Sequence, residues 1–222
     1  MNIKFNNPDK NITFTALHVA RVKNKIPDMQ NICIDIYKTT EEDINFINNL
    51  KKSTDLHKLM PEMRFTEADV WQELFNIAAD KAKYNGYVAF HNNKPCGLMK
   101  FTPSDSAYYL DIICTIPTDI NKKIPNVGKS LMGIMFDEFA KSKAPRIELA
   151  AVTNAPFHAV SKYMRLGFKQ TGGENGVVAM KLLKDSLPET LKKLKTYIRT
   201  EYLKNPKKIN LENLQKNTRL GD

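Results

Sequence analysis

Apolar positions in this chain follow two patterns: short runs that alternate or are continuous, and stripes with a period near 3.6 residues. The first pattern predicts strands and the second predicts amphipathic helices. In chain order, the strands are predicted at residues 32–37, 87–91, 97–101, 107–116, 146–152, 168–171 and 177–183. Helices interrupt this order, which indicates an α/β (α+β) fold with a mixed, largely antiparallel central sheet flanked by helices.

Four stretches of the central region are predicted to be helical. Thr40 can cap the first, whose apolar positions are Ile44, Ile47 and Leu50. Thr66 opens the second, which ends at Gly86 and has the stripe Val70, Leu74, Ile77, Ala78 and Ala82. The other two cover residues 129–141 and the segment that ends at Gly167-Phe168. Residues 51–65 are polar with methionines and predict a loop or a broken helix.

The two ends of the chain differ from this central region. Residues 1–30 are polar and contain one weak strand candidate at 12–17. Near the other end, Ser186 and Glu189 have capping-box spacing, and the stripe Leu187, Leu191, Leu194 and Ile198 follows. Residues 207–217 predict either a second helix or no regular structure. We therefore expect an N-terminal segment (1–30), one domain (31–183) and a basic helical C-terminal extension (184–222).

Composition narrows the class of protein. The chain has 222 residues, of which 42% are hydrophobic, enough for a core. No apolar run approaches the roughly 18 residues of a membrane helix, and residues 1–8 lack a signal-peptide core. We expect a cytoplasmic protein without membrane contact. The three cysteines and four histidines show no metal-ligand or disulfide spacing, so no metal is expected.

The formal charge of +10 favours anionic partners, such as a nucleotide cofactor, a nucleic acid or an acidic surface. Residues 184–222 hold ten Lys/Arg and five Asp/Glu, a net +5 and so half of the excess. The Lys-rich face of the predicted C-terminal helix has two interpretations. It is either the solvated side of a packed helix or a docking surface for RNA, the ribosome or a protein partner.

One segment points to specific chemistry. The strand at 107–116 leads through a loop to Asn126-Val127-Gly128 and then into a helix. Free backbone N–H groups and the helix dipole at such a start bind phosphate, and Lys122, Lys123 and Lys129 lie around the turn. The segment predicts a site for a phosphorylated cofactor. The alternative is an ordinary glycine at a helix start.

The same segment resembles the GNAT superfamily of N-acetyltransferases. The strand ends in residues 113–117 (Ile-Cys-Thr-Ile-Pro), and residues 123–131 resemble the family pattern Arg/Gln-x-x-Gly-x-Gly/Ala. Asn154 and the run Tyr163-x-x-x-Gly167-Phe168 resemble a second family motif. Two departures are that Lys123 replaces Arg/Gln and Asn126 replaces the first glycine. Asparagine tolerates left-handed backbone angles, so the turn remains feasible.

This resemblance implies an acetyl-CoA-dependent N-acetyltransferase in which donor and amine react directly in a ternary complex. It implies that Thr115 and Ile116 line the pantetheine arm and offer a backbone N–H to the acyl oxygen. Asn154 would bind the pantetheine amide. The pyrophosphate would lie at the helix start, against Lys123, Asn126, Val127, Gly128, Lys129 and Ser130.

By the same resemblance Tyr163 is the general acid that protonates the departing sulfur, and Asp111 is the general base. A packed helix tyrosine is the alternative for Tyr163. Glu148, His158 or water are the alternatives for the base. The acceptor is left open among a small-molecule amine, a protein amine and an aminoacyl-tRNA, and residues 41–84 should border its cleft. A homodimer is also left open. The competing class is a non-catalytic module that binds RNA or a protein through the basic surface.

Overall fold

We describe the fold from a computed structural model, which describes residues 14–29, 31–153, 158–204 and 206. These residues form one nine-stranded sheet with the order β7-β8-β6-β5-β4-β3-β2-β1-β9. The strands are β1 (Leu17–Asn24), β2 (Cys33–Lys38), β3 (Tyr87–His91), β4 (Lys94–Pro103), β5 (Tyr108–Thr115), β6 (Arg146–Val152), β7 (Lys169–Glu174), β8 (Val177–Leu183) and β9 (Ile198–Tyr202). Only β5 and β6 pair in parallel among them.

Helices connect or cover these strands. They are α1 (Ile44–Ser53), α2 (Leu56–Leu59), α3 (Phe65–Ala82), α4 (Val127–Lys141), α5 (Ala159–Arg165) and α6 (Leu187–Tyr197). The predicted fold class, a mixed and largely antiparallel sheet flanked by helices, is confirmed. Within the described part of the chain, no helix combines the length and apolarity needed to span a membrane.

Hydrophobic side chains pack on both faces of the sheet. The α4-side core includes Val127, Leu131, Met135, Phe136 and Phe139 of α4, with Leu110, Ile147, Leu182, Leu194 and Ile198. The α3-side core includes Trp71 and Phe75 of α3, with Phe14, Tyr37, Phe46, Ile47, Leu98, Cys114 and Ile116. Because a strand alternates its side chains between faces, each central strand contributes to both cores.

The apolar stripe predicted for α3 is confirmed at Ala78 and Ala82 and is wrong at Ile77. Its buried residues are Ala68, Trp71, Phe75, Ala78, Ala79 and Ala82, whereas Ile77 of the predicted stripe is exposed. The two aromatic rings determine the face that turns inward, because burying a large ring removes the most apolar surface from water.

A β-bulge interrupts the pairing of β4 with β5 at Asp111. Lys100 lies opposite Ile112 and Phe101 lies opposite Leu110, so Asp111 has no partner residue on β4. The extra residue reverses the alternation: Leu110 belongs to the α4-side core, whereas Cys114 belongs to the α3-side core. The bulge re-aims the end of β5 at the point where this strand leaves β6.

The chain ends depart from the predictions in two places. Of the weak strand candidate at residues 12–17, residues 12 and 13 lie outside the described residues, residues 14–16 are not in a strand, and Leu17 is the first residue of β1. The helix predicted near the C-terminus is confirmed as α6, although the Ser186 side chain makes no capping hydrogen bond. The unpredicted strand β9 follows α6 and pairs with β1. Residues 207–222 of the predicted extension lie outside the described residues.

Candidate active site

The candidate site is a cleft between β5 and β6. The two strands pair only from Tyr108–Leu110 to Ile147–Leu149, although β5 continues to Thr115 and β6 to Val152. Beyond Leu110, therefore, β5 has no strand partner on this side among the described residues. Backbone groups of β5 beyond this point therefore make no ladder hydrogen bond to β6 and are candidates to bind a ligand.

Hydrogen bonding on the other side of β5 decides which of these backbone groups face the cleft. The Ile116 N–H donates to the Cys96 carbonyl oxygen at 2.8 Å, so Ile116 points its backbone at β4 and its N–H is not free for a ligand. Neighbouring residues of a strand alternate, and Thr115 therefore directs its own N–H toward the cleft. Thr115 and Ile116 were both predicted to offer a backbone N–H to the acyl oxygen. Only the Thr115 N–H has the direction that this role needs.

The helix α4 begins beside this cleft. Its N-cap residue, Asn126, has the left-handed φ of 61°, so asparagine forms the turn in which the family pattern has glycine. The Ser130 N–H and hydroxyl both donate to the Asn126 carbonyl oxygen, at 2.8 and 2.9 Å. The N–H groups of Val127, Gly128 and Lys129 precede the first helical hydrogen bond and have no partner within the helix. Ser130 is thus engaged in the protein's own structure.

Open space lies in front of Gly128. A Cβ atom built on this glycine would meet only Thr115 Cγ2, at 3.9 Å, which is an ordinary contact distance. Gly97, in contrast, lies where a Cβ would come 2.6 Å from Val127 Cγ1. The packing of the protein requires glycine at position 97 but not at 128. The start of α4 therefore lies beside the end of β5, and the volume in front of Gly128 meets no described side chain nearer than Thr115.

Cationic side chains gather around this volume. Burial lowers the pKa of Lys129 below its usual value, and repulsion from Lys162 and Arg165 adds to the shift. Burial likewise lowers the pKa of Lys162, with repulsion from Lys123 and Arg165. The sequence predicted Lys123 and Lys129. It did not indicate Lys162 or Arg165, because they are distant in sequence and α5 brings them to the site.

Tyr163 lies on α5 and contacts the α4-side core. Its ring meets Phe168 edge-on, with 5.7 Å between the centroids. Burial raises the pKa of the phenol above its usual value, and the nearby Cys114 thiol adds to the shift. Cys114 is the penultimate residue of β5, so the phenol lies in the neighbourhood of the end of that strand. It remains protonated at neutral pH and has no hydrogen-bond partner within the described residues.

The three candidates for the general base have different surroundings. Asp111, at the bulge, accepts a hydrogen bond from the Thr102 hydroxyl at 2.6 Å through Oδ2. Glu148 on β6 is paired with the Arg146 guanidinium. His158 is exposed at the N-cap of α5, with φ of 48°. Asn154, predicted to bind the pantetheine amide, lies outside the described residues.

Sequence reasoning missed Trp71. Its indole N–H donates to the Thr115 carbonyl oxygen at 2.9 Å, and Lys123 Nζ lies 4.7 Å from the centre of its ring. Trp71 therefore supports both the cleft wall and a predicted phosphate ligand. Its being the chain's single tryptophan was the available signal, but the predicted stripe of α3 assigned it no role.

Several solved acetyltransferases are similar in fold. PaiA N-acetyltransferase from Thermoplasma acidophilum, solved with coenzyme A, is 15% identical and matches 68% of this chain and 98% of its own, with a TM-score of 0.48. An acetyltransferase of the GNAT family from Listeria monocytogenes is 17% identical, with 68% and 95% covered and a TM-score of 0.46.

The ribosomal-protein-S18-alanine N-acetyltransferase from Escherichia coli is 14% identical, with 68% of this chain and 93% of its own covered and a TM-score of 0.44. At the sequence level, the chain matches no protein-family model and no curated protein. These similarities concern fold and say nothing about the substrate.

Proposed function

We propose that this protein is an N-acetyltransferase that binds acetyl-CoA at the start of α4 and transfers the acetyl group to an amine. The space in front of Gly128 carries the proposal. Glycine stabilises a helix less than alanine does, by at most about 1 kcal/mol, and the protein's own packing does not require glycine in this first turn of α4. A ligand that approaches the backbone closely would explain glycine at this position, because a larger side chain would occupy the space of the ligand.

The surrounding groups fit a CoA phosphate ester. The N–H groups of Val127, Gly128 and Lys129 together with the positive end of the α4 dipole favour a pyrophosphate. Lys123 and Lys129 add charge that does not depend on the dipole. The pantetheine arm would follow the open edge of β5, with Asn154 proposed as a ligand of its amide.

Acetyl-CoA supplies an activated acetyl group and a sulfur leaving group, and the chain supplies positioning and proton transfer. The Thr115 N–H is a fixed donor for the acyl oxygen. As the amine nitrogen bonds to the acetyl carbon and the carbon–sulfur bond breaks, Asp111 takes the amine proton, directly or through water. Tyr163 gives its phenolic proton to the sulfur. Glu148 suits the role of base less, because Arg146 already neutralises it.

A titration of the full chain tests this function. We expect micromolar acetyl-CoA to raise the melting temperature, because a ligand at about 100 times its Kd stabilises by about 2.7 kcal/mol. An assay of thiol release with small amines, basic peptides and aminoacyl-tRNA then identifies the acceptor. An RNA oligonucleotide is the comparison ligand. Stabilisation by RNA alone would support the non-catalytic module instead.

A further inference from the structure

Lys129 is held by two parts of the chain. Its Nζ donates to Asn126 Oδ1 at 2.8 Å, which places the ammonium at the N-cap of α4. The same Nζ lies 4.1 Å from the centre of the Tyr197 ring. Tyr197 is the last residue of α6, so the C-terminal segment reaches the start of α4.

Hydrogen bonds fix both holders of Lys129 to the end of β1. The Tyr197 carbonyl oxygen accepts from the Lys25 N–H at 2.8 Å, and Ile198, the next residue, pairs with Asn24 across the sheet. The Asn24 side-chain oxygen accepts from the Asn126 amide. These contacts form a closed network that joins β1, the N-cap of α4 and the end of α6.

The ammonium of Lys129 has no counter-charge in this network of contacts. No carboxylate of the described residues forms an ion pair with it. Burial and the neighbouring cations Lys162 and Arg165 lower its pKa. A cation at a helix N-terminus also opposes the helix dipole. An anion at this position would relieve all three costs together.

We infer that Tyr197 is a positioning residue for the phosphate site, holding the Lys129 ammonium over the start of α4 with the face of its ring. The inference rests on the proposed function and extends the site into the C-terminal segment. The ring face makes the contact with the ammonium. Phenylalanine at position 197 should therefore preserve the effect, and leucine should abolish it.

The test measures binding of two ligands to the full chain. The ligands are acetyl-CoA and S-acetylpantetheine, which has the thioester but no pyrophosphate and no nucleotide. We expect Tyr197→Leu to weaken acetyl-CoA binding about 3- to 10-fold, a range set by the strength of a partly buried cation–π contact. Tyr197→Phe should stay within about 2-fold of the wild type. S-acetylpantetheine, present at millimolar concentration, should bind the wild type and both variants alike.

Tyr202→Leu is the matched control. Tyr202 lies on β9, where Lys141 Nζ is 5.5 Å from its ring centre, at the opposite end of α4. Its loss should leave acetyl-CoA binding unchanged. If the wild type does not bind acetyl-CoA, the proposed function itself is wrong. If the wild type binds and Tyr197→Leu binds equally well, or loses both ligands equally, Tyr197 does not position a phosphate ligand.

Discussion

The indole N–H of Trp71 donates to the carbonyl oxygen of Thr115 at 2.9 Å, which joins α3 to the end of β5. The Ile116 N–H belongs to the same peptide unit and donates to Cys96 at 2.8 Å. Both polar groups of this unit are therefore bound within the protein. The protein's own hydrogen bonds hold this wall of the cleft in place, so acetyl-CoA would bind to a preformed surface.

Replacing Trp71 by phenylalanine should weaken this wall. The change removes the indole donor and leaves the Thr115 carbonyl oxygen only the weak contact with the Cys114 thiol at 3.5 Å. Loss of one hydrogen bond costs about 0.5–1.5 kcal/mol. We expect lower stability in urea unfolding and acetyl-CoA affinity reduced several-fold. Phe75→Leu is the control, because Phe75 is buried in the same core. If both variants lose stability but neither loses affinity, Trp71 serves packing only.

Gly128→Val should weaken acetyl-CoA binding by about 10-fold or more with little change in unfolding free energy, because the branched side chain would fill the space that the phosphates need. Gly128→Ala should bind acetyl-CoA more weakly while raising stability slightly, by at most about 1 kcal/mol. Gly97→Ala is the contrasting variant, because its Cβ would come 2.6 Å from Val127 Cγ1 and should destabilise the fold. Unchanged affinity in folded Gly128→Val would exclude this glycine from the phosphate site.

Local motifs made part of the site predictable. Asn126, Gly128 and Tyr163 each belong to a short pattern whose geometry follows from neighbouring residues, such as a turn into a helix. The family resemblance predicts Asp111 as the base, but the sequence does not show the bulge at that residue, because an apolar run looks the same with or without an extra residue.

The remaining parts depend on contacts between segments distant in sequence. Trp71 meets Thr115 across 44 positions, and Tyr197 meets Lys129 only because β9 pairs with β1. Strand β9 itself is short and follows a helix directly. Neither the periodicity nor the spacing of residues predicts contacts between residues that are distant in sequence, because the packing of the two cores determines these contacts.

The affinity for acetyl-CoA should begin to fall at a lower pH than it would if the phosphates were bound by an exposed lysine with its usual pKa. The protonated form of Lys129 binds the phosphates, and burial lowers its pKa, so it loses its proton at a lower pH than usual. Calorimetry from pH 7.5 upward should show this decline. Lys129→Arg should flatten it, because arginine stays charged.

Lys162 also has a lowered pKa, so Lys162→Arg serves as the second control for this pH dependence. A decline that persists in Lys129→Arg but disappears in Lys162→Arg would assign the dependence to Lys162. A flat wild-type profile would mean that neither ammonium contacts a phosphate.

Asp111→Asn should lower the rate of acetyl transfer by about 10²-fold, the lower end for a positioned base. The side chain is partly exposed, so stability should change by less than about 0.5 kcal/mol. Glu148→Gln should remain near the wild-type rate because Arg146 pairs with Glu148. Rates measured against pH for both variants decide between them, and the reverse pattern would make Glu148 the base.

Tyr163→Phe should leave acetyl-CoA affinity within a few-fold and lower the rate constant for transfer. The ring, and so its contact with Phe168, is kept, and the phenol has no hydrogen-bond partner to lose among the described residues. Stability should therefore change little. Positioned acid catalysis is typically worth about 10²–10⁴-fold. The thiolate leaves readily without a proton, since a thiol pKa is about 8.5, so we expect about 10²-fold or somewhat less.

The raised pKa of Tyr163 also predicts how the rate of transfer depends on pH. Its phenol remains protonated in the folded protein past the usual value of about 10. The wild-type rate should therefore show no loss from ionisation of this acid below about pH 10. Single-turnover transfer to an identified acceptor, measured beside a cofactor titration of the same variant, separates the two roles of Tyr163. A packed tyrosine predicts an unaltered rate at every pH, and that result would leave the cleft with positioning and electrostatics alone.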